Sequence, residues 1–502
     1  MSKMKEYSIT EIQDLMKKGK LTAKKLVEMY LNRINELDKN GPKLNSVIEI
    51  NPEVMSIAES LDEERKNNKV RSSLHGIPVI IKDNINTKDK MQTTAGSLAF
   101  EGHIASDDAF IVKKLREAGA IILGKANLSE WANFRSTRST SGWSSRGGQT
   151  LNPYSLDRNP CGSSSGSAVA VAANLCTVAI GTETDGSVIC PSQTNSIVGI
   201  KPTIGLVSRI GIVPISHNQD TAGPIARTVK DAAFLLNVMV GIDSEDSSTT
   251  KHNREIPQDY TKFLDPNGLK NIRIGVARNY FGKSDLIDEI IEEAIQKLRE
   301  IGAEIIDPVE IKTLDELRDP EFQVLLYDFK HDLNEYIAKY GPINSLKNIN
   351  DIIRFNNENQ EKVMPHFKQE LFIMANEKGS LTDDEYKEAL EKCHNLSRQE
   401  GIDKVLKEHN LDAIAAPSGG AAWVIDYING DHGTVGSSSA AAVAGYPNIT
   451  IPAGYVYGLP VGISFFSGAF EEPKLIKIAY AFEQATKIRK PPMFPQKVEV
   501  KR

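Results

Sequence analysis

Hydrophobic residues in the first ~70 positions recur at the spacing of a helix. Leu26, Tyr30, Ile34 and Leu37 follow at intervals of three or four and so share one face. Ahead of them, "SITE" at Ser8–Glu11 has the form of a capping box, in which the serine hydroxyl and the glutamate carboxylate each satisfy a main-chain N–H. From about residue 76 the pattern changes. "IPVIIK" (Ile77–Lys82) is an apolar run of strand length that ends on a lysine. Ile111, Leu115 and Ala118 line a helix face, Gly119 closes it, and "AIILG" follows as a strand. The same order returns with Ile287, Ile291, Ala294, Leu298 and Ile301, closed by Gly302 and followed by "AEII". Such alternation predicts an α/β fold, an α/β/α layered sheet with helices on both faces.

Residues 310–410 are charge-rich and helical, as expected of an insertion or cap over the sheet. "ITIPAGY" and "PVGISFF" return to strands, and a helix near Glu472–Ile488 closes the pattern. No repeat of about 20–50 residues interrupts the chain. The expectation is one domain over 1–502: a helical stretch over 1–70, a core over 76–235, the helical segment 310–410, and a return to the sheet over 411–490.

Composition narrows the partners. A net charge of −6 and a pI near 6.0 leave no basic excess for nucleic acid. Small-molecule substrates stay open, and oligomeric state is not legible. The four cysteines, Cys161, Cys176, Cys190 and Cys393, form no C-x-x-C pair, and no histidines stand at ligand spacing. Free thiols in a reducing compartment, with no metal and no cofactor, are therefore expected. The amino terminus holds no signal-like apolar run and no stretch is long enough to span a bilayer, which points to a cytoplasmic protein with no membrane partner.

The chemistry-bearing stretch is "NPCGSSSGSAVAVAANL", Asn159–Leu175. Ser164 is the middle of a G-x-S-x-G pattern, but a nucleophile elbow needs a strand leading into it, and "TLNPYSLDRNP" holds two prolines and turn formers instead. Of the histidines that could serve as its base, only His217 and His432 lie near glycine- or serine-rich segments. A phosphate loop would need a lysine, and none occurs between Lys125 and Lys201. Alone, the stretch reads first as a capped, small-residue helix start packed close to another backbone. Downstream, "TVAIG" runs as a strand into the turn Thr184, Asp185, Gly186, Ser187. Successive main-chain N–H groups in such a turn can form an anion-binding nest, and a serine inside its own nest suits acyl transfer. The hydroxyl needs a base. Lys82, carried into a low-dielectric site by its strand, would lose charge by desolvation, although an isolated strand-end lysine more often snorkels outward or pairs with a neighbour such as Asp83.

Together, "GIPVIIKDNINT", "CGSSSGSAVAVAAN", "GTETDGS" and "GIKPTIGLVSRIGIVPISHNQDTAGPIARTVKDAA" resemble the amidase signature family over about Lys82–Ala233. The resemblance implies the amidase-signature fold, with a central mixed sheet flanked by helices, and a Ser–Ser–Lys triad: Ser187 as nucleophile, Ser163 after a cis peptide bond as bridge, and Lys82 as base. The N–H groups of Thr184, Asp185, Gly186 and Ser187 would hold the oxyanion. On this view Ser164 becomes a local cap or hydrogen-bonding neighbour. Cys161, Ser165, Glu183 and Asp185 depart from the commonest family pattern, and Asp185 sets a carboxylate beside developing negative charge. The combination also resembles the peptide amidase branch, which releases ammonia from C-terminal peptide amides, as do "NLSEWANFRS" (Asn127–Ser136) and "DYINGDHG" (Asp426–Gly433). Trp131, Phe134 and Trp423 are candidates for an apolar substrate channel, or else core aromatics. The rival functions are a catalytically silent binding protein on the same fold and a glutamine-hydrolysing amidotransferase subunit.

Overall fold

The computed structural model describes residues 4–251, 255–341 and 343–500. Eleven strands form one sheet: β1 Val47–Ile50, β2 Pro78–Lys82, β3 Ile121–Ala126, β4 Val178–Glu183, β5 Val198–Lys201, β6 Thr221–Ala226, β7 Arg273–Ala277, β8 Glu304–Val309, β9 Ala413–Pro417, β10 Asn448–Val456 and β11 Leu459–Phe466. Their order across the sheet is β1-β3-β2-β4-β6-β5-β10-β11-β9-β7-β8. The sheet is mixed. β3, β2 and β4 run parallel, as do β9, β7 and β8, and the other neighbours are antiparallel. The unbroken apolar runs of β2 and β4 follow from this placement, because every residue in both strands is buried.

The capping box forms at Ser8 and Glu11, and the stripe Leu26, Tyr30, Ile34 and Leu37 is buried as its spacing predicts. The first ~70 residues are not all helix, however. Val47–Ile50 is an edge strand antiparallel to β3. Four residues are too few for a period to declare itself, and the free edge of β3 decides their conformation. The segment 310–410 is helical as expected. Its long helix Leu314–Tyr340 and its neighbours Ile349–Glu358 and Glu370–Glu377 bury Leu326, Phe329, Leu333 and Phe372 against Phe100, Trp131 and Phe134. The helical segment thus covers loops beside the sheet with a second apolar cluster. Among the described residues, no helix is long and apolar enough to cross a membrane.

The free-thiol expectation fails for two of the four cysteines. Cys161 and Cys190 are joined in a disulfide across 29 residues, while Cys176 and Cys393 are free and buried. No spacing announces this pair. It arises because the serine loop and the helix Ile189–Thr194 are folded side by side, and it removes the cysteine argument for a reducing compartment.

The helix Ser165–Ala172 is buried at every residue. Its small residues let it approach other backbone closely. A Cβ on Gly166 would stand 2.2 Å from the Ser46 carbonyl oxygen and 2.4 Å from that of Asn127, neither of which can yield as a side chain would. Gly166→Ala is therefore expected to destabilise the protein by at least ~1–3 kcal/mol, the usual cost of overpacking. Thermal unfolding checks this, and an unchanged midpoint would mean that the helix can lift from its neighbours freely.

Candidate active site

β2, β3 and β4 deliver their carboxyl ends to one edge of the sheet, where ligands of open α/β sheets collect. The register pairs Ile81 with Ile180, so Lys82 arrives beside the end of β4. Its side chain has no exposed surface. Nζ lies 2.7 Å from Ser163 Oγ, 2.8 Å from Thr182 Oγ1 and 3.1 Å from the Thr182 carbonyl oxygen. Burial pulls the Lys82 pKa down from 10.5 to about 7, although Asp220 and Glu183 oppose the shift with their charge. A neutral amine has two N–H donors and one lone pair. With both donors on Thr182, the lone pair is left facing the Ser163 hydroxyl.

Ser163 follows a cis peptide bond from Gly162, and its carbonyl oxygen accepts from the Ser129 N–H. Ser164 is not a side-chain cap for the helix that follows. Its hydroxyl donates to the Thr182 carbonyl oxygen at 3.0 Å and accepts from the Thr182 N–H at 3.1 Å, clasping the serine loop to β4. The Ser164 N–H reaches the Ser187 carbonyl oxygen at 3.2 Å. The loop and the turn beyond β4 are thereby one unit. The segment before the loop is turn and coil, which leaves no strand for a nucleophile elbow at Ser164.

The turn Thr184–Ser187 is supported from three sides. Glu183 Oε2 accepts from the N–H groups of Val188 (2.6 Å) and Ile189 (2.9 Å). The Thr184 hydroxyl donates to Asp220 Oδ1 at 2.6 Å. Asp185 meets the start of the helix Ser439–Ala444, accepting from the Ser438 hydroxyl at 2.5 Å and the Ser439 hydroxyl at 2.6 Å. Both carboxylate oxygens of Asp185 are thus occupied by hydroxyl donors. Gly186 turns the chain at φ +77°. Among the described residues, the N–H groups of Thr184, Asp185, Gly186 and Ser187 donate to no acceptor, and the Ser187 hydroxyl has no hydrogen bond. Four unspent donors flank a serine oxygen that packing leaves unpinned.

These features gather a desolvated amine and the Ser163 hydroxyl at the end of β4, and tie the Ser187 turn with its free N–H donors to the same loop. A family model described as Amidase matches residues 25–476. The chain belongs to the amidase signature family. The amidase is 45% identical to a probable amidase of Arabidopsis thaliana, over 98% of this chain and 92% of that protein. It is 48% identical to the solved native peptide amidase from Stenotrophomonas maltophilia, covering 97% of this chain and 98% of that one with a TM-score of 0.92. It is 33% identical to a subunit of the glutamyl-tRNA(Gln) amidotransferase of Thermoanaerobacter pseudethanolicus, over 97% of this chain and 99% of that one. It is an amide hydrolase on a large mixed sheet flanked by helices.

The aromatic candidates divide. Trp131 is 2% exposed and packs edge-on against Phe100 at 4.9 Å and Phe372 at 5.3 Å, and Phe134 packs on Phe329 at 5.0 Å. Both pack into the apolar cluster beneath the helical cover, as core aromatics do. Trp423 is only partly buried and donates Nε1 to Asp431, whose carboxylate also accepts from Ser141 and Asn159 at the root of the serine loop. Motif reasoning from the residues did not single out Thr182, Asp220 or Asn84, whose amide donates to Thr182 Oγ1 at 3.0 Å. Thr182 carries the signal that could have found it, since it stands five residues before Ser187 at the end of an apolar strand.

Glu183→Ala strips the acceptor from two N–H groups and should lower both stability and amide hydrolysis, with each unsatisfied buried group costing ~1–3 kcal/mol. Glu183→Gln keeps an oxygen in place and should lose less of each. Thermal midpoints and turnover of the two variants, measured side by side, give the test, and equal losses would mean that the oxygen is not what matters.

Proposed function

We propose that this amidase hydrolyses C-terminal peptide amides through an acyl-enzyme on Ser187. What carries the proposal is the neutral-leaning Lys82 amine 2.7 Å from Ser163, beside the four free N–H donors of the Ser187 turn. Lys82 accepts the Ser163 proton as Ser163 takes that of Ser187, and Ser187 Oγ attacks the carboxamide carbon. Charge developing on the carbonyl oxygen is met by the N–H groups of Thr184, Asp185, Gly186 and Ser187, positioned before the substrate arrives. The relay returns the proton to the departing nitrogen, ammonia leaves, and water attacks the ester by the reverse path. The alignment with a peptide amidase along nearly its whole length supports a peptide amide as substrate.

The second reading is glutamine hydrolysis within an amidotransferase, favoured by the 33% identity to one chain of such an enzyme. Ammonia release by the purified chain separates the two. Turnover of peptide amides without partners supports the first, and activity that appears only with partner chains and aminoacyl-tRNA supports the second.

Ser187→Ala should lower kcat for a peptide amide by at least ~10³-fold without changing the unfolding midpoint, the residual rate reflecting the oxyanion donors and binding. A variant that keeps its rate would exclude Ser187 as nucleophile. The pH profile is a separate expectation. The active form is the unprotonated amine, so with a Lys82 pKa of about 7 the value of kcat/KM should rise with pH and level off above that point. A flat profile down to about pH 5 would count against a lysine base.

A further inference from the structure

One cluster lies outside the machinery assigned so far. His217 stands on the segment between β5 and β6, and His331 and Asp332 lie on the long helix Leu314–Tyr340. The two histidines are far apart in sequence, which is why no ligand spacing announces them. In the fold, their rings are 6.1 Å apart and both present Nδ1 to one carboxylate. Asp332 Oδ1 lies 2.8 Å from His331 Nδ1 and 3.0 Å from His217 Nδ1, and Oδ2 lies 2.9 Å from His217 Nδ1. Asp328 adds a second carboxylate 3.7 Å from His217 Nδ1. Among the described residues this is the one group of three His, Cys, Asp or Glu whose ligand atoms all lie within 4.8 Å of one another.

We propose that His217, His331 and Asp332 form a binding site for a divalent transition metal of the zinc class. The donor set is two imidazole nitrogens and one carboxylate oxygen, which suits Zn²⁺ or Co²⁺ and not the all-oxygen preference of Ca²⁺ or Mg²⁺. The ring atoms already converge, so the ion takes the place of the protons now shared between them. The site is also reachable. The side chains of His217 and His331 are 40% and 50% exposed, and they line a cavity of about 330 Å³ that extends to Asn84, Thr182 and Thr184. Solvent or a coordinating group from the substrate side can complete the coordination. Binding through Nδ1 of His217 asks one adjustment: the Asn218 amide nitrogen, now 3.3 Å from Nε2, must turn away. A bound ion would cross-link the helical cover to the segment that carries Asp220, and Asp220 holds Thr184 at the turn of Ser187.

The test is isothermal titration of the full chain, freed of any affinity tag, with Zn²⁺ and in parallel with Co²⁺. One ion per chain is expected, and bound Co²⁺ should show the visible absorption of a nitrogen- and oxygen-ligated centre. His217→Ala and His331→Gln should each weaken Zn²⁺ by at least ~10-fold, and the double variant should abolish the one-to-one binding. His409→Ala, outside the cluster, should leave it unchanged. Unfolding midpoints without metal confirm that the variants are folded, and zinc should raise the midpoint of the parent but not of the double variant. No one-to-one binding at micromolar ion, or the same affinity in the double variant, would overturn the site.

Discussion

A lysine amine with no exposed surface, at the carboxyl end of the parallel strands β3, β2 and β4, sets the terms for the rest of this structure. Moving its pKa from 10.5 to about 7 corresponds to roughly 5 kcal/mol of preference for the neutral form. A single hydrogen bond contributes about 1 kcal/mol, so no one partner could hold the charge there. The surroundings instead engage the N–H groups and leave the lone pair free. Thr182 supplies both acceptors, and the serine loop is clasped to that same residue by Ser164. The base and the bridging serine therefore share one anchor, and displacing β4 would disturb both.

The turn that carries Ser187 depends on buried acids in a different way. Glu183 staples the N–H groups beyond the turn, Asp220 holds its first hydroxyl, and Asp185 binds it to a helix more than 250 residues away. Burial raises the pKa of all three carboxyls, and the hydroxyl and N–H donors around Asp185 and Asp220 oppose that shift. For Glu183 the nearby Lys201 charge opposes it first. These acids consume donors from hydroxyls and from N–H groups outside the turn, so the four N–H groups inside it remain unspent. That separation answers the difficulty Asp185 raised as a departure from the common glycine. Its carboxylate is engaged by Ser438 and Ser439, and its N–H still belongs to the nest.

Much of this was legible in the residues. The capping box, the strand ending on Lys82, the helix–glycine–strand repeats and the paired C-terminal strands are local patterns, and local patterns survive without tertiary knowledge. Lys82 and Ser187 were raised by the strand and turn patterns, Ser163 and the triad roles came from the resemblance, and the geometry brings Lys82 to Ser163 and ties the loop to the Ser187 turn. The edge strand Val47–Ile50, the Cys161–Cys190 pair and the packing of Trp131 were not legible, because each depends on a neighbour far along the chain.

The lysines show where that boundary falls. Lys82, Lys125 and Lys201 each sit in a buried strand, each is fully buried, and burial lowers the pKa of all three. By hydrophobic pattern alone they are equivalent. Lys125 spends its amine on the Ile85 carbonyl oxygen and the Thr93 hydroxyl, and Lys201 lies among Glu183, Glu472 and Asp185. Only Lys82 meets a serine. The sequence by itself determined that an apolar strand would end on a lysine, that a serine loop would enter a small-residue helix, and that a polar turn would end β4. Which amine faces which hydroxyl was decided by strand register and close helix packing, because burial and hydrogen-bond partners are properties of the assembled sheet and not of any stretch within it.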